Sequence, residues 1–218
     1  LTLSEYQDTK VTGGGDTEYL PAKLVGNIEV EGETVFTVDL GASYRGTVAG
    51  FFVPKSLNLE VDTKPFGHTF KFGSPSPVDF NFSYDLKKNA RPVSGVSINA
   101  DLKKDYDDIE KLEDVDRVFG NLDLSSKLTV QYSVDADRLG ALGSNPSAQN
   151  INDGFDATLK YKGSEIGTLE LVDTSSGMNV EVVYNDGSTD PVTAFIDGVS
   201  SSGGFSLSGL TKSASSLF

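Results

Sequence analysis

Residues Val78 to Leu86 read Val-Asp-Phe-Asn-Phe-Ser-Tyr-Asp-Leu, so that each apolar residue is separated from the next by one polar residue. Successive side chains of a β-strand point to opposite faces of a sheet, and this period of two therefore predicts a strand with one dry and one wet face. The same period returns at 36–40, 57–61, 128–134 and 178–184. The chain is predicted to be mainly β, either an antiparallel sandwich or a long meander.

One segment, at about residues 104–119, departs from this period. Apolar residues recur there every three to four positions, at Tyr106, Ile109, Leu112, Val115 and Val118 or Phe119. The residues between them are largely charged, and the spacing predicts one amphipathic helix. Gly120 is the expected helix terminator.

The predicted domain organisation has two parts. Residues 1–20 contain Thr12-Gly-Gly-Gly-Asp16, which costs entropy to order and offers little to bury, so they are expected to form a flexible lead-in or tether. Residues 21–218 are expected to form the β domain, with a subdivision near residue 120 left open. The Gly-flanked stretch Gly41 to Gly46 is interpreted as a connection between strands.

The acidic balance of the chain argues against several partners. The sequence has 18 basic and 32 acidic residues, a net charge of −14, which repels nucleic acid and anionic lipid headgroups. The absence of cysteine excludes disulfides, thiolate metal sites and cysteine nucleophiles. No apolar run approaches the ~18 residues that span a bilayer. No transmembrane helix is expected, and membrane contact is expected only through a lipid anchor upstream of Leu1.

Few residues suit catalysis. His68 is the one histidine, and because it alternates with Phe70 and Phe72, structural packing is preferred over a role as general base. A carboxylate-pair glycoside hydrolase ranks last among the hypotheses. Sequence spacing cannot reveal two acids roughly 5 to 10 Å apart, and there is no Trp for sugar stacking. We expect a protein that is not an enzyme.

A calcium site is the alternative interpretation of one polar turn. Short oxygen donors lie close to a glycine there, at Asn150, Asn152, Asp153 and Asp156. They resemble half of a calcium loop but lack its full alternation and terminal Glu. Asn-Asp-Gly is also the usual chemistry of a tight turn, which is the preferred interpretation. No other cofactor is expected.

Aromatic residues suggest a ligand site. The chain has 13 Phe and 8 Tyr, enough to line a pocket in or beside the sheet. The candidate ligand-binding residues are Phe51, Phe52, Phe66, Phe70 and Phe72. The corresponding hypothesis is a binder or carrier of a small apolar or carbohydrate ligand.

Three strand-like stretches near the C-terminus share a hairpin pattern. They read Tyr161-Lys-Gly-Ser-Glu-Ile-Gly-Thr-Leu-Glu-Leu, Val180-Glu-Val-Val-Tyr-Asn-Asp-Gly-Ser188 and Val192-Thr-Ala-Phe-Ile196. This pattern resembles the closing meander of secreted lipoproteins from Bacteroidota-type bacteria. The resemblance implies export, a lipidated cysteine just upstream of Leu1, and a polar lead-in that tethers the protein to an outer membrane.

These observations lead to one functional hypothesis. The chain is expected to be a non-catalytic exported β protein, anchored at the outer-membrane surface or extracellular. It would act as an accessory or interaction subunit that binds a protein partner.

Overall fold

The computed structural model describes residues 1–13, 15–48, 51–105, 114–175 and 177–194. Its strands are Thr2–Gly13 (β1), Asp16–Val30 (β2), Glu33–Val48 (β3), Phe51–Thr63 (β4), Phe66–Ser76 (β5), Asp79–Lys88 (β6), Arg91–Leu102 (β7), Val115–Asp123 (β8), Leu128–Asp135 (β9), Phe155–Tyr161 (β10), Ser164–Thr174 (β11), Gly177–Tyr184 (β12) and Thr189–Pro191 (β13). Two short helices, Ala136–Gly140 (α1) and Ala148–Asn152 (α2), lie between β9 and β10.

The strands form one 13-stranded sheet whose spatial order, β1 to β13, is their order in the chain. Each neighbouring pair is antiparallel. The prediction of a mainly β, antiparallel protein is therefore confirmed, and the order is that of a meander. β8 contains Gly120 and pairs with both β7 and β9, so the sheet is continuous at the position where a subdivision was left open.

One face of the sheet is apolar almost from edge to edge. A row of directly opposed residues crosses β1 to β12, and apart from one glycine every residue in it is apolar or aromatic. The row is Tyr6, Leu24, Leu40, Leu59, Phe70, Tyr84, Val96, Leu122, Val130, Leu159, Gly167 and Tyr184. Because opposed residues of paired strands point to the same side, the period of two in the sequence becomes a continuous apolar surface.

The buried part of this surface lies on β9 to β12. Leu159 and Val182 are completely buried, and Leu128, Val130 and Ala157 beside them are nearly so. Partly buried side chains pack around them, among them Tyr132, Phe155, Leu169, Tyr184 and Val192. This cluster supplies most of the close apolar packing of the described residues, and hydrophobic stabilisation is concentrated there.

The helix predicted at about 104–119 is wrong in its C-terminal part. Residues 115–119 belong to β8, which is hydrogen-bonded on both sides, to β7 and to β9. Residues 106–113 lie outside the described residues. The paired strand is preferred because it places Val118 and Leu122 on the apolar face while Arg117 and Asn121 occupy the other face.

The structure also differs from the prediction of a flexible lead-in at residues 1–20. These residues form β1 and the start of β2, paired from Thr2↔Asn27 to Gly13↔Asp16. The hairpin reverses between Gly13 and Asp16, and Gly15 there has a φ of +91°. Glycine accepts this left-handed conformation at little steric cost, so the residues interpreted as a tether serve as a turn.

Glycines lie at several strand reversals, whereas the connection predicted at Gly41 to Gly46 is wrong. Gly32, Gly163, Gly177 and Gly187 all have positive φ at strand ends. The stretch Gly41 to Gly46 lies inside β3, which continues to Val48. Register shifts next to Tyr44 bend the ladder there rather than ending it.

Gly120 allows one long side chain to cross β8. The Tyr132 hydroxyl on β9 donates a hydrogen bond to the carbonyl of Ser97 on β7, at 3.0 Å. A Cβ at Gly120 would lie 1.9 Å from that carbonyl oxygen and 3.0 Å from the Tyr132 hydroxyl. Because Gly120 has no side chain, β7 can approach β8 closely and the side chain of Tyr132 can cross β8. Burial raises the pKa of Tyr132 from its usual value of 10.0.

We expect Tyr132→Phe to lower the free energy of unfolding by about 1 kcal/mol at neutral pH, since phenylalanine cannot donate to Ser97. The raised pKa means that the folded state favours the neutral phenol. Its contribution is present below the unfolded pKa and is lost as the pH rises through the higher folded value. Urea unfolding at neutral pH and above pH about 10 should show a smaller alkaline loss in the variant. An equal alkaline loss in both proteins would contradict the assignment.

Candidate functional site

The apolar side of the sheet is partly exposed over β2 to β8, and we call this region the apolar face. None of its described apolar side chains is buried. Its most exposed side chains are Ile28, Phe82 and Ile98, at 36%, 37% and 39%. The face consists of Leu24, Ile28, Val38, Leu40, Leu57, Leu59, Val61, Phe70, Phe72, Phe80, Phe82, Tyr84, Leu86, Val96, Ile98, Val118 and Leu122. Large exposed apolar patches are uncommon on soluble proteins and mark sites of contact.

Charged residues avoid the centre of the apolar face. Three rows of opposed residues cross β3 to β6 there, and none of these described residues is a carboxylate, an ammonium or a guanidinium. The rows are Val38, Val61, His68, Leu86; Leu40, Leu59, Phe70, Tyr84; and Ala42, Leu57, Phe72, Phe82. Acids lie on the opposite face, where Asp39, Glu60 and Asp85 alternate with these residues. In these strands the charged side chains therefore lie on one side of the sheet and the apolar side chains on the other.

His68 is a polar side chain within the apolar face. Its Nδ1 lies 3.0 Å from the Tyr84 hydroxyl, and either atom can donate, depending on the tautomer. Tyr84 also packs against Phe70, with ring centroids 4.8 Å apart. His68 therefore lies among aromatic side chains of β5 and β6, in agreement with the interpretation that it packs structurally.

The five predicted phenylalanines do not form one cluster. Phe70 and Phe72 lie together on the apolar face, and the ring of Phe72 is 5.9 Å from that of Phe80. Phe66 lies at the start of β5, 39% exposed. Phe51 and Phe52 lie at the start of β4, and their side chains are outside what the structure describes. A shared ligand site for the five stays a prediction.

A groove of about 600 Å³ lies at one end of the strands, beside the start of β3 and the β4–β5 and β6–β7 turns. Phe66 is the predicted residue that it includes. Its other lining residues are Thr34, Val35, Phe36, Thr37, Glu60, Asp62, Lys64, Pro65, Gly67, Thr69, Lys87, Asn89 and Ala90. The sequence analysis missed these residues. The predicted antiparallel order could have indicated these residues, because alternate turns of a meander lie at the same end of the strands.

Two acids of the polar side, Asp85 and Asp123, are separated by a glycine. Asp85, Gly95 and Asp123 are directly opposed on β6, β7 and β8. Oδ1 of Asp85 and Oδ2 of Asp123 lie 3.0 and 3.5 Å from where a Cβ would be at Gly95, and both residues line a cavity of about 230 Å³. Thr129 donates to Asp123 at 2.6 Å. The carboxylate-pair hydrolase stays an alternative prediction, and this pair is one arrangement of two acids beside a cavity.

The residues of the predicted calcium loop hold the α2 region to its neighbours. Asn150 completes a capping box with Ser147. Asn152 accepts from the N–H of Leu171 at 2.9 Å and donates to its carbonyl at 2.8 Å, so its amide continues the β11 ladder beyond the start of β10. Asp153 accepts from Arg138 and Gln149. Asp156 lies on β10 beside a separate cavity. Among the described residues there is no group of three metal-ligating side chains, and calcium binding stays a prediction.

Within the described ranges, no helix combines the length and apolar character needed to cross a membrane. The chain matches no protein-family model, no curated protein and no solved structure.

Proposed function

We propose that the chain is a non-catalytic, exported accessory subunit that binds another protein through its apolar face. The observation that carries this proposal is the partly exposed apolar surface of β2 to β8, whose centre on β3 to β6 carries no charged side chain. A β-sheet gains stability when its apolar side is covered by a second layer. The same side is well covered on β9 to β12, and β2 to β8 present the part that a partner can cover.

The dimensions of the apolar face suit a protein contact. Seven strands about 4.8 Å apart, each contributing about 17 Å of length, give a patch of roughly 600 Å² in projection. Specific interfaces bury about 800 Å² on each partner. A partner that covers this face and its rim reaches that size.

Charge favours a partner of different composition over a second copy. The chain carries a net charge of −14, and two copies facing each other would repel. The fitting partner presents an apolar patch surrounded by basic side chains, which attract the acidic chain without placing a charge on its uncharged centre. Binding should therefore become slower as salt is added.

Export and surface anchoring belong to the same proposal and are supported by the C-terminal resemblance to secreted lipoproteins. The segment that the gene encodes before Leu1 tests this part. A signal peptide that ends at a cysteine supports lipid anchoring, whereas a leaderless start contradicts it.

We expect Phe82→Asp to weaken partner binding at least about tenfold, because it buries an unpaired carboxylate in the contact. Ser83→Asp is the matched control, since Ser83 neighbours Phe82 on β6 but is opposed to Lys71 and Ser97 on the polar face. Both variants and the wild type would be used as baits in extracts of the native cells. The proteins retained would be quantified, and each candidate would then be purified for measurement of its Kd.

Support requires a purified protein that binds wild type and Ser83→Asp but binds Phe82→Asp weakly. Thermal unfolding of the free proteins separates lost contact from lost folding, and Ile98→Asp provides a second disruption. Equal binding by all the folded variants contradicts the proposal. Sedimentation showing that the wild type self-associates through Phe82 would replace the proposed partner with a second copy.

A further inference from the structure

β1 forms a long edge of the sheet. Among the described strands it pairs with β2 alone, over Thr2–Gly13, whereas the strand at the other edge, β13, has three residues. Most side chains of β1 are exposed, and the strand contains no proline. A strand edge of this length presents a row of backbone donors and acceptors with which another strand can pair.

Pro21 shows which backbone groups of β1 point to the open edge. Asp8 is directly opposed to Pro21 on β2, and proline has no N–H to donate. The two residues therefore form a non-hydrogen-bonded pair, in which the N–H and C=O of Asp8 point away from β2. These directions alternate along a strand, so the backbone groups of Lys10 and Thr12 also point outward. Those of Thr9 point to β2.

The side chains at these outward positions are complementary to themselves. When two copies of β1 are aligned antiparallel about Thr9, Asp8 of each copy is directly opposed to Lys10 of the other. Tyr6 is likewise opposed to Thr12. Neither Asp8 nor Lys10 forms a salt bridge with a described residue, and both side chains are exposed. Directly opposed opposite charges, and pairs of threonines such as Thr9 with its counterpart, stabilise a β-ladder.

From this backbone phase and this charge pattern we propose that β1 pairs with β1 of a second copy, in an antiparallel two-fold contact centred on Thr9. Each copy then uses the same surface, as a two-fold contact requires. The inference goes beyond the proposed function, because the contact joins two sheets edge to edge and leaves the apolar face uncovered.

Net charge and contact size limit the strength of this dimer. The chain carries a net charge of −14, which opposes association of two copies. At physiological salt, charges more than about 8 Å apart are largely screened, so the pairs of Asp8 with Lys10 dominate an edge-to-edge contact. One pair of strands is smaller than a standard interface, and we expect a Kd of about 1 to 100 μM.

The test is sedimentation equilibrium of the full chain from about 1 μM to about 1 mM, at about 0.15 M salt. Asp8→Lys opposes two ammonium groups at both charged positions of the contact, and Lys10→Asp opposes two carboxylates. Each variant should weaken the dimer about tenfold or more. Glu165→Lys is the matched control, because it makes the same change of charge at an exposed position on β11 and should not weaken the dimer.

An equal mixture of Asp8→Lys and Lys10→Asp tests the pairing itself. In a mixed dimer each charged position again opposes an ammonium to a carboxylate, so association should return to nearly the wild-type strength. Amide hydrogen exchange provides a second measurement. The outward N–H groups of Lys10 and Thr12 should exchange more slowly in the dimer, whereas that of Thr9, which is bonded to β2, should change little.

Several results would overturn the proposal. They are a monomer at every concentration, equal dimerisation by the wild type and both charge variants, and a mixture that associates no better than each variant alone. Thermal unfolding shows that each variant is folded. Phe82→Asp should dimerise as the wild type does, because Phe82 lies on the apolar face. Loss of the dimer in folded Phe82→Asp would assign self-association to that face and overturn the pairing of β1.

Discussion

Gly120→Ala should destabilise the protein by at least about 3 kcal/mol, the upper end of what overpacking normally costs. The new Cβ would lie 1.9 Å from the Ser97 carbonyl oxygen and 2.7 Å from its carbon. Backbone atoms of a paired strand cannot rotate away as a flexible side chain can. β7 and β8 would have to separate, which weakens their ladder and displaces Tyr132. Since native domains are stable by about 5 to 15 kcal/mol, the variant should melt many degrees earlier.

Gly41→Ala is the matched control for this effect. Gly41 also lies within a strand, β3, but a Cβ there meets no atom within 4 Å. The substitution should change stability by less than about 1 kcal/mol and in the stabilising direction, because alanine restricts the unfolded chain. Urea unfolding of both variants measures the difference. Similar stabilities for the two would contradict the close approach of β7 and β8 at Gly120.

Leu159→Ala should cost about 2 to 5 kcal/mol, because it leaves a cavity in the best-packed part of the sheet. Leu159 is completely buried and lies between Val130 on β9 and Gly167 on β11. A Cβ at Gly167 would lie 2.3 Å from the carbonyl oxygen of Val183. The close backbone packing around Gly167 limits how far the structure can collapse into the space left by Leu159.

Leu3→Ala makes the same chemical change at a site that is 59% exposed, and it should cost less than about 1 kcal/mol. Urea unfolding with unchanged m-values would show that both substitutions act on stability rather than on the unfolded chain. A small cost at Leu159 would mean that the β9–β12 cluster does not hold the main hydrophobic core.

Regular alternation made much of the sheet predictable from the sequence. The stretch from Val78 to Leu86 contains most of β6, and glycines lie at several of the hairpin turns. The prediction failed at β8, where a register shift leaves Asp116 as an extra residue between the pairs Leu102↔Val115 and Asp101↔Arg117. Val115 and Val118 are therefore three positions apart, which is the spacing of a helix rather than of a regular strand.

Local sequence patterns do not reveal the strand pairing that holds residues 1–20 and that forms the groove. β1 is held by its ladder to β2, and most of its side chains are exposed, so residues 1–20 show little of the apolar signal of a buried strand. The groove requires the register that places Thr37, Asp62, Gly67 and Lys87 in one row. A shift of one residue in any strand would move its side chain to the other face. Of the lining residues, the sequence therefore indicated Phe66 alone.

The meander order has a consequence for how the chain is made. Each strand pairs with the one synthesised just before it, so contacts are local and closing each loop costs little entropy. A nascent chain can add hairpins one after another as it leaves the ribosome, with its newest strand always forming the growing edge. Folding of the early strands need not wait for the C-terminus, in contrast to sheets whose first and last strands must meet.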